Sequence, residues 1–162
     1  MIVVADAGPI IHLSLIGRID LLPALYGRVL VPEPVYQEVV REGAALPGSA
    51  ELDGADWAER VDPDPGSNLF EVLRAQLDPG ETAAICLAVE RGADLILSDD
   101  RPARLTAARL GIEVKGTLGI LVEAKRRGEL ELIAPAIAAL KREGTWLSDR
   151  LVERILAEAG EL

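Results

Sequence analysis

The chain has 162 residues, 49% hydrophobic but only 3% aromatic, and a formal net charge of −10 at pH 7. That length suits one domain with a sizeable core of Ala, Val, Leu and Ile, and the acidic balance argues against a general polyanion-binding surface. No apolar run approaches the roughly 20 residues of a membrane span, and the lone Cys86 allows no internal disulfide, so a reducing, cytoplasmic setting is expected.

The opening MIVVADAG lacks the basic region of a secretory leader and reads directly as a strand, Ile2–Ala5, ending at Asp6. Ala7-Gly8-Pro9 then turns the chain, and Ile10–Leu15 and Asp20–Leu25 read as short helices. Arg28–Val31 is a second strand closed by Pro32. Pro34–Arg41 suits a helix with Pro in its first turn, ended by Gly43. Residues 44–68 are rich in Pro, Gly and Asp and the least regular, with a short strand at Trp57–Val61. Leu69–Leu77 reads as helical.

Asp78-Pro79-Gly80-Glu81 opens the clearest helix, Pro79–Arg91, with Gly92 just past its end. Leu95–Ser98 is the next strand, followed by a helix over Pro102–Leu110 and a strand over Ile112–Lys115. Thr117 is placed to cap a helix running to Arg127. Pro135–Glu143 and Ser148–Ala159 complete the set. Strands separated by helices of about ten residues predict a three-layer α/β/α fold with a central, mainly parallel sheet. The expected organisation is one domain over 1–162, with 128–162 a helical extension packed on it.

The chemistry-bearing residues are acids. In open α/β sheets ligands bind beyond the carboxyl ends of the strands. Asp6 follows the first strand, and Asp99 and Asp100 follow the Leu95–Leu97 run. Glu38 falls beside the apolar face defined by Val35 and Val39, where an unpaired carboxylate is costly. Glu81 shares a face with Ala84, Ile85 and Ala88, and with Asp78 it also matches a capping box. Four or five carboxylates converging at one sheet edge repel unless a cation neutralises them. Oxygen donors without a His or Cys cluster select Mg²⁺ or Mn²⁺ over Zn²⁺. Of the adjacent pair, one aspartate would bind metal while its neighbour holds water.

His12, the only histidine, lies among Ile10, Ile11 and Leu13 and reads as a core or helix-surface residue. No nucleophile triad and no phosphate-cradling glycine loop is present. Residues 101–127 reverse the local charge, with seven basic residues against Glu113 and Glu123, directly after the Asp pair.

Five segments together make the chain resemble the PIN-domain family of metal-dependent nucleases, in an uncharacterised branch of its VapC-like members. They are VVADAGPIIHL, VLVPEPVYQEVV, DPGETAAICLAVERGADLILSDDRPAR, VKGTLGILVEAKRRG and GTWLSDRLVERILAEAGE. The resemblance implies an acidic quartet of Asp6, Glu38, Glu81 and Asp100, with Asp99 a fifth candidate. It implies metal ligation by Asp6, Glu81 and Asp99 or Asp100, and Ser98 as the small hydroxyl residue before the acid. Ala7 departs from the Ser or Thr common after the first Asp. The implied function is a Mg²⁺/Mn²⁺-dependent ribonuclease, the toxin of a toxin–antitoxin pair and a homodimer whose antitoxin can cover the acidic cleft. Arg101, Arg104 and Lys115 would hold the RNA backbone, or Arg104 would pair with one of the acids. The rivals are a catalytically idle nucleic-acid- or protein-binding module and a receiver-like phospho-acceptor. The latter places its acid pair after the first strand, the reverse of the order here.

Overall fold

The computed structural model describes residues 1–162. Five short strands form one parallel sheet: β1 (Val3–Ala5), β2 (Val29–Val31), β3 (Ala58–Arg60), β4 (Leu95–Leu97) and β5 (Glu113–Lys115). Their spatial order is β3-β2-β1-β4-β5. In register, Val4 stands opposite Leu30 on one side and Ile96 on the other. The chain builds outward from β1 to β3, then returns to β4 on the other side of β1. The order of the sheet therefore reverses between β1 and β4, which is where such sheets open a crevice at their carboxyl ends.

Side-chain alternation divides the core into two layers. Val3, Ala5, Leu95 and Leu97 point into a cluster with α1 (Ala7–Leu15), α2 (Leu21–Tyr26), α3 (Glu33–Tyr36) and α4 (Ser49–Asp53). The same cluster includes α8 (Thr117–Arg126), α9 (Ala134–Arg142) and α10 (Asp149–Glu158). Val4 and Ile96 point the other way, against α5 (Asn68–Leu73), α6 (Pro79–Arg91) and α7 (Arg101–Arg109). The three inner strands β1, β2 and β4 are apolar on both faces, as a sheet covered on both sides requires, and a three-layer α/β/α architecture results. Cys86 is buried in α6. No helix is long and apolar enough to cross a membrane.

The structure departs from the sequence expectation at four places. Helix α1 begins at Ala7, because Asp6 serves as its N-cap and Pro9 falls in the first turn, where its missing N–H is harmless. The helix expected over Pro34–Arg41 is α-helical only to Tyr36 and continues as a π-helical turn, Gln37–Glu42. A helical turn, α4, lies inside the irregular segment, held where Ser49 Oγ donates to the Val40 carbonyl. Thr117 is not the cap of α8; Gly116 holds that position, and the threonine hydroxyl is used elsewhere.

Candidate metal centre and active site

Three helices present their N-termini to the crevice, and each begins on an acid. Asp6 caps α1, its Oδ1 accepting from the Ala7 N–H at 2.8 Å. At α6, Asp78 Oδ1 accepts from the Glu81 N–H at 2.8 Å and Glu81 Oε2 accepts from the Asp78 N–H at 3.1 Å, a reciprocal capping box. Asp100 caps α7, its Oδ2 accepting from the Ala103 N–H at 3.1 Å. The positive ends of the three helix dipoles partly stabilise this gathering of charge. Glu38 arrives from the π-helical turn, the kind of local irregularity that re-aims a side chain at functional sites.

Asp6, Glu38, Asp78, Glu81, Asp99 and Asp100 thus line a single open pocket of about 370 Å³. Asp78, which the sequence reads only as a cap, adds a sixth carboxylate. No Lys or Arg pairs with any of the six, and only Asp99 has an ion-pairing partner, His12. The alternative in which Arg104 neutralises an acid is therefore not what forms. As the side chains stand, no three of them close on one point in a ligating cluster; they ring a space instead.

That space is kept open by glycine. A Cβ on Gly80 would lie 3.4 Å from Asp6 Oδ1 and 3.5 Å from Glu38 Oε2, so both oxygens flank the same small gap in front of α6. The crowding shows in proton affinity. Burial, reinforced by Asp78 and Asp100, pushes Asp6 up to about 6 despite the bonds from Ala7 and Ser98. Burial followed by Asp6 and Asp78 raises Glu38. Burial also raises Glu81 well above the usual carboxylate range, with Asp78 adding to it and Asp100 close enough to bond its protonated form. Acids whose proton affinity is raised in this way, with no Lys or Arg beside them, are a set into which a hard divalent cation fits.

Ser98 is buried, at 1% exposure; its hydroxyl donates to Asp6 Oδ2 at 3.2 Å and accepts from the Asp100 N–H at 3.3 Å. Ser98, which the resemblance set against the substrate, here orients Asp6 and shapes the β4–α7 turn. Asp99 also differs from its neighbour. Its Oδ1 accepts from the Thr117 N–H at 2.6 Å, and its Oδ2 from the Thr117 hydroxyl at 2.6 Å and His12 Nδ1 at 2.7 Å. Burial alone would raise Asp99, but the bonds from His12 and Thr117 together outweigh it and hold the carboxyl below its ordinary value. With three donors satisfied, Asp99 is turned toward α1 and α8, while Asp100 keeps Oδ1 free of protein hydrogen bonds.

His12, read from the sequence as packing, is thus a partner of the acidic strand end, and nothing in its local pattern announces a contact 87 residues away. Lys115 reaches Glu123 Oε2 at 2.6 Å, a carboxylate that also accepts from Tyr26, so its charge is already engaged away from the pocket. Arg101 and Arg104 are exposed and form no ion pair.

The profile of a family described as a PIN domain matches residues 2–161 of this chain. No curated protein matches it.

Proposed function

The chain belongs to the PIN-domain family, and from that premise we propose that it is a Mg²⁺- or Mn²⁺-dependent ribonuclease that hydrolyses phosphodiester bonds. PIN domains are generally nucleases that use divalent metal ions. The observation that carries the proposal is the pocket between β1 and β4, where six carboxylates meet with no Lys or Arg among them.

Asp6, Glu81 and Asp100 are the proposed ligands, because each faces the pocket from a helix N-terminus and none is committed to a side-chain cation. Glu38 completes the set from the π-helical turn and can take a proton from an attacking water. Asp99 supports the site from behind by fixing His12 and the start of α8. A divalent ion, when bound, supplies Lewis-acid activation of water and neutralises charge developing on the phosphoryl oxygens. Ser98 keeps Asp6 from rotating, since its hydroxyl holds one carboxylate oxygen. Arg101 and Arg104, unpaired at the start of α7, are placed to receive the anionic backbone of the substrate. The products by this route are a 5′-phosphate and a 3′-hydroxyl, with no covalent protein intermediate. The toxin of a toxin–antitoxin pair, working as a cytoplasmic homodimer, is the biological setting that the VapC-like resemblance supports.

The test is cleavage of single-stranded RNA with and without Mn²⁺. Metal-dependent cleavage that Asp6→Asn abolishes is the expected result. RNA binding without cleavage at any metal concentration would establish the idle binding module instead.

A further inference from the structure

A second pocket of about 450 Å³ adjoins the acidic one, and Asp99 lines both. Its floor is the start of α8, and its far wall is the α9–α10 connection with α10. That volume lies in the range of small-ligand sites, roughly 300–1,000 Å³. The pair His12–Asp99 forms the partition between the two.

Three of the residues that line it are Trp146, Arg104 and Arg154. Trp146 stands at the mouth with 84% of its surface exposed, in a chain that has only two tryptophans. An indole left in water forgoes one of the largest apolar burials available to a side chain. Arg104 and Arg154 line the same pocket, and neither guanidinium has a carboxylate partner. In a protein of net charge −10, two unpaired guanidiniums and a bare aromatic ring meet around one groove whose lining holds a single acid, Asp99. Leu147 and Leu151 give the groove an apolar lining between them.

We infer that this groove is the base-binding subsite for a single-stranded nucleic acid, with Trp146 stacking on an unpaired base and Arg104 and Arg154 holding the phosphates on either side. The inference deepens the nuclease reading and rests on it for direction, since the strand would run from the groove across Asp99 into the acidic pocket. The chemistry selects the occupant. A flat apolar ring binds the π-face of any base, unpaired guanidiniums bind phosphate, and a duplex would keep its bases stacked out of reach. The surplus of positive charge on this rim also answers how so acidic a protein could attract a polyanion.

The experiment reads binding by anisotropy of a labelled single-stranded oligoribonucleotide, with chelator present so that no cleavage intervenes. Trp146→Ala should weaken binding about tenfold, and Trp146→Phe, which keeps a ring, should restore most of it. Arg104→Ala and Arg154→Ala should each reduce the slope of log affinity against log salt by about 0.7. Emission from Trp146, isolated in a Trp57→Phe background, should be quenched by the single strand and not by duplex. Wild-type affinity and salt slope in the Ala variants would overturn the inference while leaving metal-dependent cleavage intact. Binding of the predicted kind without cleavage would sink the nuclease reading alone. Emission that follows protein concentration rather than oligonucleotide would assign the groove to a second copy of the chain. Emission indifferent to both would show that no strand stacks on Trp146, and either result overturns the proposal.

Discussion

Asp6 shows how a single residue is caught between stability and function. It ends β1, caps α1 and accepts the Ser98 hydroxyl, yet it holds its proton up to about pH 6, chiefly because it is buried. A carboxyl whose folded value lies above its unfolded one binds more protons in the native state, so its ionisation lowers stability as pH rises from about 4 through about 6. Without metal, Asp6→Asn should therefore raise stability at pH 7.5 by about 1–3 kcal/mol, since Asn caps a helix as well as Asp and carries no charge. Thermal denaturation of wild type and variant across pH 4–8 checks this, and the gap should close toward pH 4. Added Mn²⁺ should stabilise only the wild type, increasingly as pH rises. An Asn variant no more stable than wild type at neutral pH would show that the charge is not strained. Asp99 has the opposite sign. Its lowered value means that its bonds to His12 and Thr117 support the fold above the usual carboxylate range and are lost as pH falls.

Helix α6 carries the same conflict at the scale of an element. Its first turn is made rigid by Pro79 and the Asp78–Glu81 capping box, but its second residue is Gly80, a weak helix former. Helix stability favours Ala there, and a Cβ would meet only ordinary contacts, 3.4 Å from Val35 Cγ2 and from Asp6 Oδ1. Gly80→Ala should leave the melting temperature unchanged or higher, while narrowing the gap between Asp6 and Glu38. Isothermal titration should then show Mn²⁺ affinity reduced about tenfold, the lower end of what disturbing a ligand's surroundings costs. The site within this element was legible in the sequence as a first-turn acid beside a helix cap. The neighbouring π-helical turn was not, because insertion of one residue into a helical turn leaves no mark on the apolar spacing of Val35 and Val39.

Across the molecule, the C-terminal segment is tied into the rest by more than apolar contact. Ile133, Ile137 and Leu140 of the α9 region and Val152 and Ile155 of α10 share the core cluster that contains β1 and α1. Helix α9 has no capping side chain of its own. Glu161 supplies it, accepting from the Ile133 N–H at 2.8 Å and the Ala134 N–H at 3.0 Å while pairing with Lys125 Nζ at 2.9 Å. Burial raises this carboxyl, but those bonds outweigh it and hold it below the ordinary value, so its support is full at neutral pH and fades as pH falls. Glu161→Ala should lower stability by about 1 kcal/mol, the usual loss of a helix cap. That corresponds to about 2–4 °C in Tm for a chain of this size. A melting curve unchanged by the substitution would show that the clasp between the end of α10 and the start of α9 carries no weight.

Local pattern alone determined the strands, most of the helices and the edge they share. Apolar strands separated by amphipathic helices imply a parallel sheet, parallel strands put Asp6 and Asp99-Asp100 at the same end, and Asp78-Pro79-Gly80-Glu81 specifies a helix start. All of this follows from forces acting within a few residues. Tertiary structure alone decided which acids stay free. Asp99 and Asp100 are adjacent and chemically identical, yet contacts to residues 12 and 117 hold one while the other caps α7. Ser98 became buried, Lys115 was taken by Glu123, and Trp146 was left in solvent beside two unpaired arginines. Such outcomes depend on which distant groups compete for a hydrogen bond or for apolar cover, and no spacing along the chain encodes that competition.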